Sequence, residues 1–207
     1  QIPVIGPMLM PGIEATLAKR PDWVLVDGGS PLYTRALYSH KIKYLTIHIE
    51  NINDLVESAH LALKTLYFQD STAELTDLES KIAVLRHTAF KAFPCLILLW
   101  HSPPIVIGPG SFLSEALSLI GCKNIASQKW AVTYPQISQE WLMRQKPRVL
   151  LYLQMGEKLN ADLKDFVSRI WPREPPQIII LNTDYFARAS FTPLLHLSAL
   201  VTELGQQ

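Results

Sequence analysis

No apolar run in this 207-residue chain approaches the roughly 20 residues that a membrane-spanning helix requires, although 48% of its residues are hydrophobic. Cysteine is scarce. Cys95 and Cys122 are too few and too far apart for a zinc knuckle or a dense disulfide framework; they read as buried free thiols, with a single bridge as the alternative, and leave the redox compartment open. An excess of one charge is also lacking: 19 Lys and Arg against 18 Asp and Glu give a net charge of +1, and the basic residues are scattered, so nothing marks a nucleic-acid surface. The stretch Gly108-Pro109-Gly110 has no following lysine and reads as a turn before a helix, not a phosphate cradle. A nucleophile elbow and an acid/base pair at recognisable spacing are missing as well, so no catalytic residue is assigned; a metal-dependent enzyme is the remote alternative. The opening QIPVIGPMLMPG lacks the basic start and apolar core of a secretion signal.

What is present is an alternation. GIEATLAKRPDWVLVDGG reads as a short helix over about Gly12 to Arg20, a Pro-Asp turn and a strand from Trp23 to Val26. PLYTRALYSHKIKYLTIHI repeats it, with a helix from Pro31 and a strand around Tyr44 to Ile49. Two helical patterns then follow without a strand between them, the second with apolar residues at Leu75, Leu78, Ile82 and Leu85 and a polar opposite face. Alternation resumes with strand CLILLW, apolar IVIG, helix SFLSEALSLIG, helix ADLKDFVSRIW, strand QIIIL and a last helix over about Thr192 to Leu204. The fold class is therefore α/β, with two lobes of mostly parallel sheet covered on both faces. The expected organisation is an N-terminal lobe over 1–70, a linking helix within 71–92 and a C-terminal lobe over 93–207.

A repeat crosses that division. GIEATLAKRPDWVLV and ISQEWLMRQKPRVLL each set a glutamate, Glu14 or Glu140, at the start of a short helix, followed by a basic residue, a proline and a β-rich run. One such carboxylate is explained by the helix dipole, typically worth 0.3–1 kcal/mol. Two in equivalent places raise a second reading, a matched pair of docking points for a symmetric partner bearing basic residues.

Four segments carry a resemblance that covers nearly the whole chain: IEATLAKRPDWVLV, PPIVIGPGSFLSEALSLIGCKNIA, VTYPQISQEWLMRQKP and NTDYFARAS. The chain resembles the periplasmic solute-binding proteins, whose two α/β lobes are joined by one helix, and the last two segments are similar to the corrinoid-carrying branch. The resemblance implies a periplasmic, non-catalytic carrier that takes cobalamin or a related corrinoid as transported ligand, with no resident cofactor, and delivers it to the membrane permease of an ABC importer. It implies that Tyr134, Asp184, Tyr185 and Arg188 face the ligand cleft. Aromatic faces and carboxylate or guanidinium groups suit a broad, partly apolar corrin fringed with amides. A haem or ferric-siderophore carrier of the same fold is the rival reading.

The sequence departs from that branch at two places expected to touch ligand. Val26 and Asp27 stand where the branch has an aromatic, with Tyr33 as the substitute, and Ile105 stands where it has another. The branch also has chain ahead of the segment matching QIPVIG, so the first lobe is expected to be incomplete, with dimerisation or strand exchange through its exposed edge as a consequence. The histidines His40, His48, His60, His87, His101 and His196 fall at no spacing that suits a metal site, and none is assigned. His101, at the end of CLILLW and beside the expected cleft, is the one selected for test.

Overall fold

A proline at the start of a helix, a left-handed residue at its end and a β-branched run after it define the smaller of two compact units. In the computed structural model, residues 12–28, 30–108, 110–128, 132–154 and 160–205 are described; the opening QIPVIGPMLMP, Gly29 and Pro109 lie outside them. The units comprise 1–49 with 56–72, and 50–55 with 73–207. In the smaller unit, α1 (Ile13–Ala18) leads to β1 (Trp23–Asp27), and α2 (Pro31–Ser39), with Pro31 at its first turn, leads to β2 (Lys43–Ile47). Lys41 closes α2 with a φ of 57°, the left-handed conformation that ends helices. The strands pair in parallel from Trp23 opposite Lys43 to Asp27 opposite Ile47, as expected of an α/β unit. Then α3 (Ile52–Ala62) runs on into a π-helical turn, Leu63–Tyr67.

The larger unit includes the first residues of α3 and the whole of α4 (Ala73–His87), whose stripe of Leu75, Leu78 and Ile82 is buried. The linking helix expected within 71–92 groups with this unit, since α4 packs on the last helix of the chain. Strand β3 (Phe93–His101) is followed by β4 (Pro104–Val106), α5 (Phe112–Ser118), β5 (Cys122–Asn124) and α6 (Gln139–Met143). After them come β6 (Val149–Gln154), α7 (Asn160–Ile170), β7 (Gln177–Asn182), α8 (Thr183–Phe186) and α9 (Phe191–Glu203). The strand order is β4-β3-β6-β7, with β5 beside the start of β3. All pairs are parallel except β3 with β4. Residues 149–153 of β6 are buried, which requires cover on both faces and accounts for their unbroken apolar run. One face packs Leu96, Leu98, Leu150 and Tyr152 against Leu163, Phe166, Val167 and Ile170 of α7.

Two strand pairings that no expectation covered stand beside one correction. The IVIG run turns back antiparallel along β3. The polar tripeptide Cys122-Lys123-Asn124 is a strand, although it lacks an apolar pattern, because β3 offers it an open edge. Cys95 and Cys122 are a disulfide and not free thiols. Cys122 pairs opposite Phe93 and Cys95 opposite Asn124, so the bond runs diagonally between β3 and β5 with a Cα separation of 5.6 Å, within the range a disulfide spans.

Candidate functional site

Parallel strands end at one edge of a sheet, and side chains carried by the segments that follow them collect there. In the larger unit, β7 ends at Asn182, whose side-chain oxygen accepts the Asp184 backbone N–H at 2.8 Å and starts α8. The NTDYF stretch thus makes one helical turn. It carries Asp184 and the exposed Tyr185, while Phe186 is buried beneath; Arg188, also exposed, stands just past its end. Asp184 and Arg188 form no ion pair with one another among the described residues.

At the other edge, residues 132–137 lie antiparallel to β4. Val106 N–H donates to the Pro135 carbonyl at 3.1 Å, Ile137 N–H to Pro104 at 2.9 Å and Gly108 N–H to Thr133 at 2.7 Å, and Ile105 bridges Gln136. Gly108 is required there: a Cβ on it would come within 2.8 Å of the Val132 carbonyl oxygen. That close approach, not a phosphate, accounts for the first glycine of Gly108-Pro109-Gly110. The pairing holds Tyr134, 60% exposed, two residues from the partner of Ile105.

The structure therefore brings Tyr134 together with Ile105, and Asp184 and Tyr185 together with Arg188, but on opposite edges of one sheet. Four inter-strand steps separate the 132–137 segment from β7, about 19 Å along the sheet at ordinary strand spacing. Between the two groups stand Trp100 and His101 at the end of β3. The β3–β4 pairing shifts between Leu98 and Trp100, which sends Trp100 to the face of Ile105 and His101 to the face of Leu98. His101 consequently meets the rings of Tyr152 and Phe166, and its Nδ1 lies 3.4 Å from the Tyr152 hydroxyl. Burial pushes the Tyr152 hydroxyl pKa up, so it stays protonated and available as a donor. Among the described residues no cluster of His, Cys, Asp and Glu is suited to a metal ion.

Tyr33 and Glu14 belong to the smaller unit. The Tyr33 hydroxyl is 2.6 Å from Thr16 Oγ1 and ties α2 to α1. Glu14 and Glu140 are both exposed, in the first turns of α1 and α6. Hydrogen bonds from its own backbone N–H and from Ser138 lower the Glu140 pKa, which keeps it ionised. One residue of interest had no signal in the sequence: His196 of α9, whose ring stacks on Tyr185.

A groove of about 920 Å³ opens elsewhere on the larger unit, beside β5 and α5. Part of its polar wall is hydrogen-bonded from within. Asn124 donates to the Ile107 carbonyl and Ser114 and accepts from Ala126 N–H, Glu115 accepts Ile52 N–H, and Ser118 donates to the Glu115 carbonyl. These groups hold the β5 edge together.

No protein-family profile matches the chain. The vitamin B12-binding protein of Yersinia pestis (strain Pestoides F) is 29% identical over 201 residues, covering 93% of this chain and 69% of that protein. Among solved structures, the periplasmic vitamin B12 binding protein BtuF of Vibrio cholerae matches with a TM-score of 0.72 at 21% identity, covering 95% of this chain and 78% of that one. The periplasmic heme-binding protein HutB of Vibrio cholerae matches with a TM-score of 0.82 at 20% identity, covering 98% and 84%. The fold is that of the periplasmic substrate-binding proteins.

Proposed function

We propose that this chain, a member of the periplasmic binding-protein class that includes cobalamin, haem and siderophore carriers, captures cobalamin or a related corrinoid and delivers it to an ABC importer. The observation that carries the reading is the match of 93% of the chain to a vitamin B12-binding protein. The geometry is compatible with it: if the residues at both sheet edges meet one ligand, that ligand has to be broad, as a corrin with its fringe of amides is. Tyr134 and Tyr185 supply aromatic faces, Ile105 an apolar contact, and Asp184 and Arg188 an acceptor and a donor for peripheral amides. The role is capture and release without catalysis. The Cys95–Cys122 disulfide supports a periplasmic site of action, since such bonds persist in oxidising compartments.

Haem is the second reading, favoured by the likeness to a heme-binding fold and by tyrosine and histidine side chains able to ligate iron. Titration of the protein with cyanocobalamin and with haemin, followed by absorbance and calorimetry, separates the two. Saturable uptake of cyanocobalamin at micromolar concentration or below is expected; haemin uptake without it would overturn the corrinoid reading.

Delivery requires docking on the importer's membrane permease, and Glu14 and Glu140 are proposed as the docking carboxylates. Reversing both to lysine is expected to weaken the complex with the permease by about tenfold or more while ligand affinity stays unchanged. Pull-down affinity equal to that of the unsubstituted protein would remove the docking role.

A further inference from the structure

The ring of Tyr185 lies flat on that of His196, with centroids 3.9 Å apart and planes inclined by 14°. Tyr185 belongs to a helix of only four residues, and one isolated turn has little stability of its own. Its orientation must come from packing. Phe186 provides part of this as the buried side chain of α8, and its ring lies 6.4 Å from that of His196. His196 thus touches both aromatics of α8. It stands on a helix of 13 residues whose Leu194, Leu197 and Leu200 are buried, so the imidazole has a firm base. With one face of the Tyr185 ring against imidazole, the part of the residue that stays exposed, 41%, is left to meet a ligand.

We propose that His196 is a positioning residue that holds the Tyr185 ring as a preset platform for a flat, conjugated ligand. The inference rests on the reading that Tyr185 meets the ligand. A tyrosine free to rotate must be ordered when the ligand arrives, and that ordering is subtracted from affinity; a ring already stacked avoids the loss. An aromatic pair of this geometry supports a contribution of roughly three- to tenfold in affinity.

The test is a double-mutant cycle on the full chain, titrated with whichever of cyanocobalamin and haemin the unsubstituted protein binds. His196→Ala is expected to weaken binding about three- to tenfold, and His196→Phe, which keeps a flat ring behind Tyr185, to restore it to within about twofold. In a Tyr185→Ala background, His196→Ala should have no further effect, because a residue that acts through Tyr185 has nothing left to position. Independent, multiplying losses, or failure of His196→Phe to rescue, would overturn the positioning role. Unchanged affinity on Tyr185→Ala would instead overturn the placement of Tyr185 at the ligand, and uptake of neither chromophore would overturn both. The Tyr185 ring-proton shifts, measured without ligand, should move on His196→Ala and return toward their original values in His196→Phe; shifts that do not move would remove the stack itself.

Discussion

Tyr134→Ala and Tyr185→Ala are each expected to weaken cobalamin binding by roughly thirtyfold, the loss of about 2 kcal/mol that accompanies removal of an aromatic anchor. Neither ring is consumed by the core, since 60% of Tyr134 and 41% of Tyr185 remain exposed. The two residues are carried at opposite edges of one sheet, by segments four inter-strand steps apart. If one broad ligand meets both, the losses multiply, and the double variant should bind roughly a thousandfold more weakly. Calorimetric titration reads each value, with Lys164→Ala on the exposed side of α7 as a control expected to change nothing. A small ligand seated at one edge would leave one tyrosine variant at full affinity, and that result would sink the spanning arrangement. Asp184→Ala and Arg188→Ala should act separately, because the two side chains do not pair among the described residues.

Removal of the Cys95–Cys122 disulfide is expected to lower the unfolding free energy by about 3.5 kcal/mol, the chain-entropy contribution of closing a loop of this length. The residues are 27 apart in sequence and buried, at 0% and 3% exposure. The bond also fastens β5, a three-residue strand whose ladder partner is β3. Urea unfolding of the Cys95→Ala/Cys122→Ala double variant gives the number, since alanine fills much of the same buried space without the link. A loss below about 1 kcal/mol would mean that the hydrogen bonds of Asn124 and the β3–β5 ladder hold that edge unaided. Reduction of the unsubstituted protein should reproduce the loss.

Much of this molecule was decided locally, by the sequence. The short apolar run CLILLW becomes a largely buried parallel strand because burial on both faces suits a run with no polar side, while QIIIL becomes a parallel edge strand buried at Ile179 and Leu181 only. The Leu75, Leu78 and Ile82 spacing becomes the buried stripe of α4 because 3.6 residues complete a turn. The repeat around Glu14 and Glu140 becomes helix followed by strand in both copies for the same local reasons. Tertiary structure decided what depends on neighbours distant in the chain. Lys123 and Asn124 carry no strand signal and form one because β3 has an open edge; two cysteines 27 residues apart bond because that pairing sets their Cα atoms 5.6 Å apart. His101 faces Tyr152 because a register shift moves it to the other side of the sheet. His196 reaches Tyr185 because α9 folds back on α8. Periodicity records which side of an element is buried; which elements then meet is settled by strand order and helix packing, which no spacing within one segment contains.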